Sequence, residues 1–188
     1  MSLHADAVAA LTRFAATATT SGQQALAQRY LTHLAAHPDG LLRSCRPDHL
    51  TASTVVLSED GARVLLTLHA KANRWFQFGG HCEAGDPTLR EAATREAREE
   101  SGLAALRVSE VPVHLDEHVV EFCRGVGEAA GDVAAHHLDV RYAAVAPADA
   151  DHAVSEESLD VRWWPVDALP EAELAEPVAR ARAWLLTR

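Results

Sequence analysis

The chain has little lysine, little cysteine and no long apolar run. Of its 17 basic residues only Lys71 is a lysine, against 27 acidic ones, for a formal net charge of -10. Binding along a phosphate backbone draws on clustered Lys and Arg, so nucleic acid is not expected as a partner. No apolar stretch nears the ~20 residues that cross a bilayer. Arg13 also interrupts the Ala/Val/Leu segment near the start. Neither a membrane association nor a secretory leader is expected. Cys45, Cys82 and Cys123 are odd in number and far apart. They imply no disulfide framework and fit a reducing, cytoplasmic setting.

What is present is a globular composition: 188 residues, 48% hydrophobic and 23% charged. Residues 1–50 read as a helical extension. Leu3, Val8, Leu11 and Phe14 recur at near-helical spacing, and Ser21-Gly22 breaks the run. Gln23 to Ala36 then carries Leu26, Tyr30, Leu31 and Leu34 up to Pro38-Asp39-Gly40. Such an extension packs on the main domain or on another subunit, which leaves a homodimer open. From Thr51 the period changes. Thr54–Leu57 and Val64–Leu68 flank Glu59-Asp60-Gly61 as a hairpin, and Trp75–Phe78 is a third strand running into Gly79-Gly80. A helix follows from about Pro87 to Glu100, with Asp86 placed to cap it and Gly102 to end it. Further strands are predicted at Arg107–Val113, Val119–Cys123, Leu138–Val145 and Val161–Trp164, with a loop from Arg124 to Ala135 and a last helix from Pro177 to Leu186.

Residues 79–103, GGHCEAGDPTLREAATREAREESGL, carry the chemistry. Glu96, Glu99 and Glu100 stand at i, i+3 and i+4, so their carboxylates share one helix face. Glu96 and Glu100 repel each other by a few tenths of a kcal/mol. Glu99 and Glu100 lie at the helix C-terminus, where the dipole disfavours anions by about 0.3–1 kcal/mol. A divalent cation would remove both penalties. The alternative is a solvated helix laced by Glu91–Arg95 and Arg95–Glu99 pairs. Gly79-Gly80 tips the balance towards a metal, because a glycine turn lets a backbone carbonyl approach a hard cation.

The segment resembles the Nudix box, G-x5-E-x7-R-E-U-x-E-E-x-G-U with U bulky and apolar. Gly80 matches the first glycine, and Arg95-Glu96-Ala97-Arg98-Glu99-Glu100-Ser101-Gly102-Leu103 matches the second half. The loop acid is Asp86 instead of Glu, and eight residues separate it from Arg95 instead of seven. The extra residue is expected to be absorbed at Asp86-Pro87-Thr88, leaving the helix in register. Arg162-Trp163-Trp164-Pro165-Val166 is also usual in that family. The resemblance implies an α/β fold, a Nudix-type α/β/α sandwich with a mixed sheet, over residues 51–188. It further implies hydrolysis of a pyrophosphate bond in a nucleoside diphosphate linked to another group, with Mg²⁺ or Mn²⁺. By position, Gly79, Glu96, Glu99 and Glu100 would bind the metal. Glu99, Glu100 and a later acid would serve catalysis, with Arg95 holding the loop through ion pairs. Glu157, six residues before Trp163, is the choice for the later acid, with Glu156 beside it; a plain solvated loop is the alternative. A non-catalytic Nudix-fold ligand-binding module is the competing function, although such modules usually lose a box glutamate and none is lost here.

Eleven histidines raise a second possibility. His114, Asp116, His118, His136, His137 and Asp139 converge if their strands are neighbours, and imidazoles suit Zn²⁺ or Mn²⁺ better than Mg²⁺. Whether they touch substrate, a metal or neither stays open. Cys82 has no local support as a nucleophile. The proline spacing that accompanies ADP-ribose hydrolases is absent, Pro112 coming too soon after Leu103, and the nucleotide itself is not legible.

Overall fold

The computed structural model describes residues 1–120, 135–148, 150–154 and 158–188. In chain order it has α1 (Leu3–Thr17), α2 (Ser21–Ala36), β1 (Asp48–Leu57), β2 (Arg63–His69), β3 (Arg74–Phe76), β4 (Phe78–His81) and α3 (Leu89–Ser101). These are followed by β5 (Arg107–Val108), β6 (His114–Val120), β7 (Ala135–Val145), β8 (Ser158–Pro165), a 3₁₀ turn (Ala172–Leu174) and α4 (Ala175–Leu186). All eight strands join one mixed sheet. Its spine is the parallel pair β1–β7, in register from Asp48 opposite His136 to Leu57 opposite Val145. Every other pairing is antiparallel: β4 and β2 along β1, β3 and β8 along β2, and β5 and β6 along β7.

β1 is buried from His49 to Leu57, as a strand covered on both faces must be. Its even-numbered residues turn one way. Leu50 and Ala52, with Leu138, Val140 and Tyr142, meet Leu89, Ala92 and Ala93 of α3 and the apolar faces of α1 and α2. Val56, Leu65 and Phe78 extend that layer to Ala97 and Leu103. On the opposite face Val55, Leu57, Val64 and Leu66 pack against Leu174, Val178 and Ala181 of the 3₁₀ turn and α4. This is an α/β/α arrangement with an N-terminal helical pair.

The first two helices pack on their own chain. The Gln23 amide donates to the Leu115 carbonyl at 2.9 Å and accepts from its N–H at 2.7 Å. Tyr30 donates its hydroxyl proton to the Asp116 carbonyl, and Arg29 pairs with Glu117 and Asp48. Asp6 reaches the N-terminus of α3 and accepts the Leu89 N–H at 2.9 Å.

Several boundaries differ from the sequence expectation. Thr20 caps α2 by accepting the Gln23 N–H, so Ser21-Gly22 opens a helix instead of breaking one. β1 begins at Asp48. The third strand divides at Gln77, giving β3 to β2 and β4 to β1. The expected Arg107–Val113 strand shortens to β5, since Ser109 turns its hydroxyl onto the Val111 carbonyl and Pro112 has no N–H to give. β6 begins at His114, earlier than the expected start at Val119, its polar alternation matching the polar face of β7. α4 starts two residues before Pro177, which sits in the first turn where a missing N–H needs no partner. Residues 121–134, with Cys123 and most of the expected loop, lie outside the described residues, as do Glu156 and Glu157.

Candidate functional site

α3 owes its position to small residues. Ala92, Ala93 and Ala97 are fully buried, which lets the helix lie close to the sheet. Thr54 of β1 donates its hydroxyl to the Ala93 carbonyl at 2.9 Å. The helix is capped by Thr88, whose hydroxyl accepts the Glu91 N–H at 3.1 Å, and not by Asp86. It ends at Gly102, held at φ 73°, a left-handed conformation that glycine adopts without a Cβ penalty. Asp86-Pro87-Thr88 stays outside a continuous α-helix of 13 residues with no π-bulge, so the added residue is taken up before it.

Glu96 and Glu100 of α3 face the glycine turn of β4. A Cβ on Gly80 would lie 2.7–2.8 Å from the Glu96 carboxylate. Gly79 donates its N–H to Glu100 Oε2 at 3.2 Å. In an antiparallel strand the N–H and C=O of one residue leave on the same side, so the Gly79 carbonyl leaves β4 along the edge that Glu100 faces. A Cβ on Gly79 would collide with Ser53 of β1, which explains why the second glycine is needed. Glu96 is 16% exposed at its side chain and Glu99 60%. Both accept from the same Arg95 nitrogen, Nη1, at 2.9 and 3.0 Å.

Arg95 uses the rest of its guanidinium on the loop. Nε and Nη2 grip the two oxygens of Asp86 at 3.0 and 3.1 Å, and Nη2 also donates to the His81 carbonyl at 3.0 Å. Asp86 in turn accepts the Glu83 N–H at 2.7 Å. Burial pushes the Asp86 carboxyl up, but these hydrogen bonds outweigh it and hold it below the usual carboxylate range. A shorter acid at the end of a longer loop thereby reaches the same arginine. The oxygen-rich cradle at Gly79-Gly80 fits a hard divalent cation, whose preferred ligands are carboxylates and carbonyls.

A second polar region occupies the odd-numbered face of β1. Asp139 is buried and accepts from Thr51, Ser53 and Arg141 at 3.0, 2.7 and 2.9 Å. Burial pushes its carboxyl up, but the Arg141 charge, His118 and these hydrogen bonds outweigh it and keep the group low. Arg141 also binds Asp116 at 2.8 Å. At one end of this face stand the rings of His49, His81 and His137. Burial first, and then His49, brings His81 down to about 4; burial with His49 and His81 brings His137 down to about 3. Cys82 is buried, and burial followed by the Asp86 charge pushes its thiol up to about 12, so it offers no thiolate nucleophile.

The NUDIX domain family model matches residues 47–185. The chain belongs to the Nudix family. Solved structures similar to it include a NUDIX-family hydrolase from Clostridium perfringens, 22% identical with a TM-score of 0.53, the match covering 74% of this chain and 98% of that one. A C. elegans Ap4A hydrolase complex is 19% identical with a TM-score of 0.56, covering 74% and 98%. The E. coli dihydroneopterin triphosphate pyrophosphohydrolase is 16% identical with a TM-score of 0.53, covering 76% and 97%. No curated protein matches the chain in sequence. No helix among the described residues is long and apolar enough to cross a membrane.

In this Nudix domain Glu96 stands against Gly80, Glu100 accepts the Gly79 N–H and Arg95 joins Glu96 to the more exposed Glu99, whereas Glu157 lies outside the described residues. Of the histidines singled out in the sequence, His118 and His137 are cross-strand partners on the polar face. His136 turns to the other face and binds Asp48 at 3.0 Å. His114 is buried 3.8 Å from Glu176. Sequence reasoning missed His49, whose only signal was its isotype; its place opposite His137 depends on a parallel register that no local pattern announces. Trp163 and Trp164 turn to opposite faces, half-buried against the two cores, with Arg63 over one ring and Arg162 over the other.

Proposed function

We propose that the protein is a metal-dependent pyrophosphohydrolase acting on a nucleoside diphosphate linked to another group, with Mg²⁺ or Mn²⁺ as its cation. The observation that carries this reading is Glu96 against Gly80 and Glu100 on the Gly79 N–H, with Glu99 joined to Glu96 through Arg95. These three carboxylates and the Gly79 carbonyl are the groups that would hold the cation. When bound, a divalent cation neutralises the non-bridging oxygens of a diphosphate and makes a water more acidic. With a net charge of -10, the chain needs that charge neutralisation from elsewhere.

Its own residues divide the remaining work. One carboxylate among Glu99, Glu100 and Glu157, the last supplied from outside the helix, receives the proton of the attacking water at a carboxylate oxygen. Arg95 is a positioning residue: it ties Asp86, the His81 carbonyl, Glu96 and Glu99 into one unit, so the loop and the acids keep one geometry. A nucleotide-like substrate is supported by relatives named for Ap4A and for dihydroneopterin triphosphate.

The test is a panel of nucleoside diphosphate derivatives with Mg²⁺ or Mn²⁺, reading released nucleotide and phosphate for the wild type, Glu99→Gln, Glu100→Gln and Glu157→Gln. Cation-dependent release lost in the box variants supports the reading. Ligand binding without turnover across the panel would favour a binding module instead.

A further inference from the structure

We propose that His49, His81 and His137 form a binding site for one d-block divalent cation, Zn²⁺ foremost, separate from the carboxylate site on α3. The three rings come from three hydrogen-bonded strands. His49 of β1 stands opposite His137 of β7, and His81 of β4 stands opposite Thr51, two residues along β1 on the same face. Their centroids are 4.9, 5.0 and 5.1 Å apart, and one donor nitrogen from each lies within 4.8 Å of the other two. Ligands on adjoining strands are held by the ladder itself, which is the rigid support a metal site needs. At zinc–nitrogen bond lengths of about 2.0–2.1 Å the nitrogens would close by roughly an ångström, a movement within side-chain rotation.

Two further observations point to a ligand. His137 Nε2 is fully buried and has no hydrogen-bond partner among the described residues, a state that buried polar atoms rarely keep unless something binds them. His49 Nδ1 lies 3.2 Å from the Cys45 carbonyl. An acceptor there selects the tautomer protonated at Nδ1, which leaves Nε2 its lone pair and orients the ring, as backbone carbonyls do for metal-ligating histidines. Three imidazoles with no carboxylate among them suit zinc, copper, nickel or cobalt, not magnesium. His49 is fully buried while His81 and His137 are half-buried, so a fourth coordination position faces outward. His118, whose ring is 5.6 Å from that of His137 and whose Nδ1 is 2.8 Å from Asp116, borders that opening. An ion here would pin β4, the strand that carries Gly79 and Gly80, to β1 and β7.

The experiment strips the full chain with chelator and measures Zn²⁺ binding by calorimetry, with Co²⁺ absorption as a report on ligand type. Expected are one Zn²⁺ per chain and a Co²⁺ spectrum of nitrogen-coordinated, four- or five-coordinate metal. Binding should weaken by about 100-fold or more in His81→Gln and in His137→Gln, and persist in a Glu96→Gln, Glu99→Gln, Glu100→Gln triple variant that has lost Mg²⁺-dependent activity. Circular dichroism shows which variants fold; if neither histidine variant does, the wild-type Co²⁺ spectrum and the triple variant decide. No Zn²⁺ binding, an octahedral oxygen-type Co²⁺ spectrum, or binding lost with the glutamates would overturn the proposal. So would unchanged binding in both histidine variants, which would move the ion to the His37, Asp39 and Cys45 group. Because the triple variant separates the two sites, failure here leaves the carboxylate reading standing, and the reverse also holds.

Discussion

The acid face of α3 and the polar face of the sheet are neighbours built by opposite means. The first comes from one continuous segment: a glycine turn, a loop and one helix, with charged oxygens that remain partly open to solvent. The second is assembled from β1, β4, β6 and β7, from residues as far apart in sequence as Thr51 and Asp139, 88 positions. Its central charges, Asp139 and Arg141, are buried and paired with each other. The acids of α3 share one arginine and one backbone N–H at an edge partly open to solvent, where a cation would relieve their remaining repulsion, whereas the Asp139–Arg141 pair is buried and serves the fold. Function should therefore fail first in one region and stability first in the other.

The largest expected effect separates them directly. Glu99→Gln or Glu100→Gln should lower turnover by about 10²–10⁴ with an unfolding temperature unchanged or slightly raised, because each removes an anion from a helix C-terminus. Asp139→Ala should do the converse. It leaves Arg141 buried with a partner lost, a loss of about 3–5 kcal/mol, readable by urea unfolding. If the Asp139 variant kept its stability while losing activity, the division between the two regions would be wrong.

A pH titration sharpens the same contrast. The folded Asp139 carboxyl sits below its unfolded value. Its contribution is therefore full above the ordinary carboxylate pKa and is lost as pH falls through the lower, folded value. Acid unfolding of the wild type should be steeper in that window than that of Asp139→Asn, and parallel curves would show that Asp139 does not contribute. Metal binding tests the other side. Saturating Mg²⁺ or Mn²⁺ should stabilise the wild type, by about 2.7 kcal/mol at a hundred times Kd, and should stabilise a Glu99→Gln, Glu100→Gln variant far less.

The smallest effect concerns the contact between the N-terminal pair and the site. Asp6 accepts the Leu89 N–H at the start of α3, so Asp6→Ala should cost about 1 kcal/mol, as loss of an N-terminal cap does, with turnover nearly unchanged. A large drop in turnover would mean that α1 positions the acids and does more than cover the helix.

Residues 95–103 announced themselves because acids at helical spacing need no distant partner to be recognised. The hairpin about Glu59-Asp60-Gly61 was equally plain, turn chemistry and β-branched runs both being local; its register, Val56 opposite Leu65, followed from the turn. Asp86 was harder. Its type and its proline neighbour suggested a helix cap, yet Thr88 caps the helix and Asp86 answers to Arg95 nine residues on. Competition between a local hydrogen bond and a half-buried guanidinium is settled by geometry that composition does not contain.

By itself, then, the chain's sequence determined the acid helix and the glycine turn, each a matter of local spacing. Tertiary structure alone decided that β1 runs parallel to β7, and with that which odd-numbered side chains meet. His49, His81 and His137 become neighbours, and Asp139 gains Thr51 and Ser53, only because strands remote in sequence share a ladder. A strand's side chains alternate with a period of two, so a register shift of one residue would have scattered them to opposite faces. Local pattern specifies which residues form a strand, but burial of the whole sheet specifies its neighbour.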